Sequence, residues 1–294
     1  MRLFIILVCF SLLLSIIPQT ANNLFGGAVD KGKLSYKAIH EASGLESALN
    51  NPGYFWIHND SGDDARVFLL DSTAQHRATF YLGGVTVHDC EDIASMQEHS
   101  NDLLLGDIGD NLAKRSTIQI YRFEEPTVKA NNSKVDTIPT KAITTYNLRY
   151  EDGPRDAEAF FYDPIAKKIV VISKRELQVG VYEAALPKHA IDTLVLQKKM
   201  TIPYTFITSA SISADGKEVL IKNLLNVYYW KREMNESLTD MFKRPGTSLP
   251  YTAEPQGEAI TFARDGSGYY TTSERPFGLA AHLYYYPRKS RTGR

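Results

Sequence analysis

The chain has 294 residues, 43% of them hydrophobic, and a formal charge of −1 from 33 basic and 34 acidic side chains. That length suits one large domain or two small ones. The near-neutral balance argues against a nucleic-acid partner, which asks for a concentrated basic face. Residues 1–21 read as an export signal, with Arg2, an apolar run over residues 3–17 and a small residue at Ala21 where cleavage fits. No later apolar run approaches the ~18 residues that span a bilayer. The mature protein is expected to be secreted or periplasmic, monomeric and without a membrane span. Cys90 is then its single cysteine, so no intramolecular disulfide forms and a packed core must carry the stability.

Residues 22–33 read as a linker and residues 34–39 as a short strand. Five related segments follow: Glu41-Ala42-Ser43-Gly44-Leu45, Asp89-Cys90-Glu91-Asp92-Ile93, Asp156-Ala157-Glu158-Ala159-Phe160, Thr208-Ser209-Ala210-Ser211-Ile212 and Gln256-Gly257-Glu258-Ala259-Ile260. Each leads through a turn rich in Asn, Pro, Asp or Gly into a short apolar run, the pattern of a β-hairpin. Most units then supply two more strand candidates, such as residues 66–71 and 78–82 in the first. The polar insertion at residues 124–141 carries Pro126 and Pro139 and reads as an exposed loop. In the fourth unit the last strand is hidden within residues 232–251, and a short helix fits residues 236–242. The fifth unit ends at residues 282–286 after three strands, and the basic residues 288–294 read as a solvated tail.

Four strands per unit is the pattern of a propeller blade. The expectation is an all-β fold, a β-propeller over residues 34–287. It should have five four-stranded blades, with six as the alternative, and residues 34–39 should close the ring as the fourth strand of the last blade.

Side chains alternate across a strand, so the first and third residues of each segment share one face. Those columns hold Glu41, Asp89, Asp156, Thr208 and Gln256, then Ser43, Glu91, Glu158, Ala210 and Glu258. Folding each hairpin brings up Asn59, Asp107, Lys174, Asn223 and Glu274. So many carboxylates around one axis need compensation. Ion pairs with Arg155, Lys174, Arg175 and Arg275 would provide it, as would water. A hard cation would too, held by Glu91, Asp107, Glu158, Glu258 and Asn223 with Asn59. These oxygen donors suit calcium before magnesium and do not suit zinc. Asn59, Asp156, Lys174, Arg175, Arg275 and Glu274 are candidate ligand contacts, and Glu158, Glu91 and His88 are candidates for handling protons. For His88, packing between units is the competing reading.

The segments Glu41-Ala42-Ser43-Gly44-Leu45 with Phe55-Trp56-Ile57-His58-Asn59-Asp60, Glu91-Asp92-Ile93 with Leu105-Gly106-Asp107, Glu158-Ala159-Phe160, and Pro255-Gln256-Gly257-Glu258-Ala259-Ile260 with Ser273-Glu274 carry a resemblance. The chain resembles the exported β-propellers called SdiA-regulated proteins, and more loosely the esterase-like phytase and strictosidine-synthase-like propellers. The resemblance implies a secreted or periplasmic propeller with a polar, calcium-accepting central pocket, and it brings no settled reaction. Three functions stay open. One is a module that binds a small molecule, glycan or peptide through a cation; another is a metal-assisted hydrolase of esters, lactones or phosphoesters. The third is a protein-interaction scaffold that uses the outer faces.

Overall fold

The computed structural model describes residues 24–98, 100–129, 134–187 and 193–289, so the expected signal at residues 1–21 lies outside the described residues. The fold is all-β. In chain order the strands are β1 (Val29–Lys33), β2 (Ala42–Ser47), β3 (Tyr54–Asn59), β4 (Arg66–Asp71), β5 (His76–Leu82), β6 (Cys90–Gln97), β7 (Asn101–Asp107), β8 (Ile118–Glu124), β9 (Lys134–Ile138), β10 (Thr144–Tyr150) and β11 (Ala157–Asp163). They continue as β12 (Lys168–Ser173), β13 (Val179–Ala184), β14 (Leu194–Ile202), β15 (Ile207–Ile212), β16 (Glu218–Asn223), β17 (Val227–Lys231), β18 (Thr247–Leu249), β19 (Gly257–Phe262), β20 (Gly268–Ser273) and β21 (His282–Pro287). Among the described residues one short α-helix, α1 (Leu238–Met241), starts where Ser237 Oγ accepts a hydrogen bond from the Asp240 N–H at 3.1 Å.

Antiparallel pairing arranges the strands as β2-β3-β4-β5, β6-β7-β8-β10, β11-β12-β13-β14, β15-β16-β17-β18 and β19-β20-β21-β1. The first strands of these sheets pack in a cycle: β2 against β6, β6 against β11, β11 against β15, β15 against β19, and β19 back against β2. Apolar side chains fill the spaces between neighbouring sheets. Trp56 and Val67 of one sheet meet Leu103 and Tyr121 of the next, and Phe161 and Val170 meet Val219 and Trp230. Strands such as Lys168–Ser173 and Glu218–Asn223 are buried on both faces because a sheet lies on either side. Continuous apolar runs, rather than strict alternation, are the result.

Several readings of the sequence change. The strand that pairs with β21 is Val29–Lys33, within the segment taken for a linker, and not residues 34–39. An edge strand needs no apolar run, so Asp30, Lys31 and Lys33 hid it. Residues 34–39 are irregular, yet Leu34 and Ile39 are buried. The polar insertion contains β9, which adds in parallel to the exposed edge of β5. A parallel contact between β10 and β14 likewise joins two neighbouring sheets into one of eight strands. The first two residues of the expected basic tail are held to the fold: Arg288 pairs with Glu218 at 2.7 Å and covers the Phe25 ring, and the Lys289 N–H reaches Leu24 O at 2.9 Å.

Candidate functional site

Each first strand carries a β-bulge inside its motif. Cys90 pairs with Asp107 and Asp92 with Gly106, which leaves Glu91 as the extra residue. By the same shift Glu158 is extra between Ala157 and Ala159, Thr208 between Ile207 and Ser209, Glu258 between Gly257 and Ala259, and Ser43 with Gly44 between Ala42 and Leu45. A bulge re-aims the extra side chain, so the fold presents Ser43, Glu91, Glu158, Thr208 and Glu258 at equivalent places. The fourth unit is thereby corrected by two residues. Thr208, not Ala210, stands where the other units have their acid.

Glu91, 1% exposed, lies in a group with Asp60 and Asp89, and Asp60 also joins Glu258 and Glu274. In each group of three the facing carboxylate oxygens lie within 4.8 Å of one another. Burial, reinforced by the charges of Asp89, Glu258 and Glu41, pushes Asp60 up to about 7. Burial and its hydrogen-bonded neighbour Glu258 push Glu274 up to about 9. Glu91 is driven well above the carboxylate range by burial and then by Asp60 and Asp89. Asp89 is raised by burial and by Asp156. Like charges held together out of water retain protons or take up a cation.

Glu158 sits beside this group and is neutralised by an ion pair with Lys174, while its second carboxylate oxygen is buried without a hydrogen-bond partner among the described residues. Asp156 accepts from the Asp110 N–H at 2.9 Å and from Arg175 at 2.5 Å, and Arg175 continues to Asn111.

Four expected site residues serve the scaffold instead. Asp107 accepts from the His88 and Asp89 N–H groups at 3.0 Å each and pairs with Arg115 at 2.8 Å, which occupies its oxygens and removes it from the cation set. Asn59 has the same role in the preceding unit, its Oδ1 accepting from His40 N at 3.1 Å and Glu41 N at 3.3 Å. Asn223 Oδ1 accepts from Leu225 N at 3.0 Å and Asn226 N at 2.8 Å, so it is a turn former and no metal ligand. Arg275 donates to the carbonyls of Leu34, Tyr36, Lys37 and Ile39, pinning the irregular segment. His88 has an exposed side chain and belongs to neither carboxylate group, so it is poorly placed to handle protons there.

Three charged residues, Asp92 and Lys222 buried and Glu46 half-buried, escaped the sequence reading. Asp92 lies on the axis, its carboxylate accepting from Ile93 N and Ser209 Oγ and from the N–H groups of Phe160 and Ala210. Burial raises it well above its ordinary value. With the bulges aligned, its column otherwise reads Gly44, Ala159, Ser209 and Ala259, so a lone acid among small residues was the signal. Lys222, at the end of β16, is fully buried. It donates to Gly257 O at 2.6 Å and lies 4.4 Å from the Tyr251 ring centre. Burial pushes Lys222 down to about 8 against the pull of Glu254 and Glu258, and raises Glu254. Beneath Asp92, Glu46 accepts from Ser95 Oγ at 2.6 Å and is pushed up to about 7 by burial.

Compared with known proteins, the chain matches no family model, and no curated protein matches it at a significant level of similarity.

Proposed function

We propose that the chain is a five-bladed β-propeller of the exported type its motifs resemble. In this reading its acidic mouth binds a divalent cation, calcium in preference to magnesium, and through it a small molecule, glycan or peptide outside the cytoplasm. Support for five blades comes from the closed cycle of five first strands and from the pairing of β1 with β21. The strands of the long insertion extend existing sheets, which favours five over six.

The observation that carries the binding reading is the position of Asp60, shared by two groups of three carboxylates whose repulsion a cation would relieve. Oxygen-only donors in a partly buried cup match the preference of calcium. Thermal melting with and without millimolar calcium tests it. A ligand that prefers the folded state raises the melting point, so wild type should gain several degrees and Asp60→Asn should gain none. Absence of a shift in wild type would sink the reading.

A second reading, metal-assisted hydrolysis of esters, lactones or phosphoesters, is favoured by Glu91. Burial and the neighbouring Asp60 and Asp89 raise its carboxyl well above the ordinary carboxylate range, toward the protonated form that a general acid needs to protonate a leaving group. Chelator-sensitive turnover that disappears in Glu91→Gln would select the enzyme over the binding module.

A further inference from the structure

Lys222 is a buried charge that the fold does not ask for. It stands opposite Ser209, the residue after the bulge in the fourth unit, and the same place holds Gly106, Ile172 and Thr272 in three other units. Neutral residues serve there. Enclosing an ammonium is costly unless hydrogen bonds and counter-charges offset it, so a lysine at this position needs a reason of its own.

The reason lies across the seam between the fourth and fifth sheets. Lys222 Nζ donates to Gly257 O at 2.6 Å, and Thr208 Oγ1 donates to the same oxygen at 3.3 Å. Both donors belong to the fourth unit, and the acceptor opens the bulge of the fifth. This carbonyl shares its peptide plane with the Glu258 N–H. Holding that plane fixes the direction in which the Glu258 side chain leaves the strand. Position 257 admits no side chain, because a Cβ there would run into Tyr251 Oη and come within 2.8 Å of Lys222 Nζ and 3.0 Å of Glu254 Oε2. Tyr251 donates to Glu254 at 2.9 Å, and its ring centre lies 4.4 Å from Lys222 Nζ. The ammonium is thus walled in, with Asn223 O at 3.0 Å as its second carbonyl.

We propose that Lys222 is a positioning residue for the acidic mouth: by gripping the Gly257 carbonyl it aims Glu258 at Asp60 and Glu274. The inference rests on the cation reading above and adds what sets the affinity of that site. Glu258 is 6% exposed, and its group with Asp60 and Glu274 has oxygens within 4.8 Å of one another. A calcium ion holds its oxygens at about 2.3–2.6 Å, so a side chain that swings on a freed peptide drops out of the set. Attraction between Lys222 and Glu258 also favours the ionised form of the carboxylate, which is the form that binds a cation. Lys222 itself lies behind the strand and touches no ligand.

The test is calcium titration calorimetry on the full chain with Lys222→Met, Glu258→Gln and the double variant. Lys222→Met should fold and bind calcium about tenfold more weakly than wild type. Glu258→Gln should lose at least as much, and adding Lys222→Met to it should cost nothing further, because the lysine acts through Glu258. A residue that only props up the fold would give additive losses. Melting curves show which variants fold. If Lys222→Met does not, Thr208→Val removes the other donor to Gly257 O and enters the same cycle, with a smaller loss expected. Wild-type affinity in the folded variant, or additive losses, would overturn the proposal and leave the cation reading in place. A wild type that takes up no calcium removes that reading, and this proposal with it.

Discussion

Asp92 Oδ2 lies 3.2 Å from Ser209 Oγ, a residue 117 positions away, across the axis where the first strands converge. The same oxygen accepts from Phe160 N and Ala210 N, each at 3.3 Å, so one carboxyl ties three strands together. Asp92→Ala removes this acceptor from the N–H groups of Ile93, Phe160 and Ala210 in a dry setting and should destabilise the fold by about 2–4 kcal/mol. Asp92→Asn keeps an acceptor oxygen and should lose less than half of that. Urea unfolding of the two variants measures the difference, and equal losses would deny the axial tie.

The carboxylate groups make stability depend on pH. Asp60, ordinarily 3.8, is held at about 7, and Glu274, ordinarily 4.5, at about 9. An acid raised in the folded state keeps a proton that the unfolded chain has already lost. Its contribution is complete below its ordinary value and is lost as pH climbs through the raised one. Glu46 and Glu254, each raised to about 7 by burial, act in the same direction, and two further buried groups act outside the middle of the scale. His58, lowered to about 4 by burial, acts below its ordinary 6.5, and Lys222, lowered to about 8, acts near and above that value. Between pH 6.5 and 8, in chelator, the melting temperature should therefore fall. Asp60→Asn should make that fall shallower, and calcium should do the same in wild type. A level profile in wild type would contradict the clustered acids.

Lys174 and Glu158 form a nearly buried ion pair, with side chains 15% and 6% exposed. Lys174→Met leaves a nearly buried Glu158 uncompensated, which should remove about 3 kcal/mol of stability. Adding Glu158→Gln to that variant should restore most of the loss, because the stranded charge is gone. Denaturation of the single and double variants completes the cycle, and additive losses would show that the pair is not coupled.

Gly109 tests the cup without deleting an acid. A Cβ at this position would come within 2.5 Å of Asp89 Oδ2 and closer still to Glu91 Oε1. Both atoms are side-chain ends that can move aside. Gly109→Ala should consequently keep the fold, with a melting point within a few degrees of wild type, and lose the calcium response. Titration calorimetry with calcium would show it as at least a tenfold weaker affinity, and an unchanged affinity would place the cation elsewhere.

Much of the fold could be read in the residues. Runs such as Ile169, Val170, Val171 and Ile172 alternate across a strand yet leave no polar face, which marks a sheet packed on both sides. The recurrence of an acid at the head of three units, Glu91, Glu158 and Glu258, located one end of the molecule. β1 and β9 were missed because edge strands meet solvent and carry no apolar signature.

Within the site, local sequence determined that each unit opens with a polar residue aimed at the axis, since a two-residue period fixes the face on which a side chain stands. Tertiary structure decided which of these acids confront one another. Asp60 enters from a neighbouring loop and joins Glu91 to Glu258, while Asp107 and Asn59, of the right chemistry in the right column, turn to nearby backbone N–H groups. The bulge adds a further step that alternation cannot register, which is how Thr208 came to occupy the place assigned to Ala210. Strand period is set between adjacent residues of one chain segment. The sharing of a proton or a cation depends on oxygens brought within a few ångströms by segments far apart in sequence.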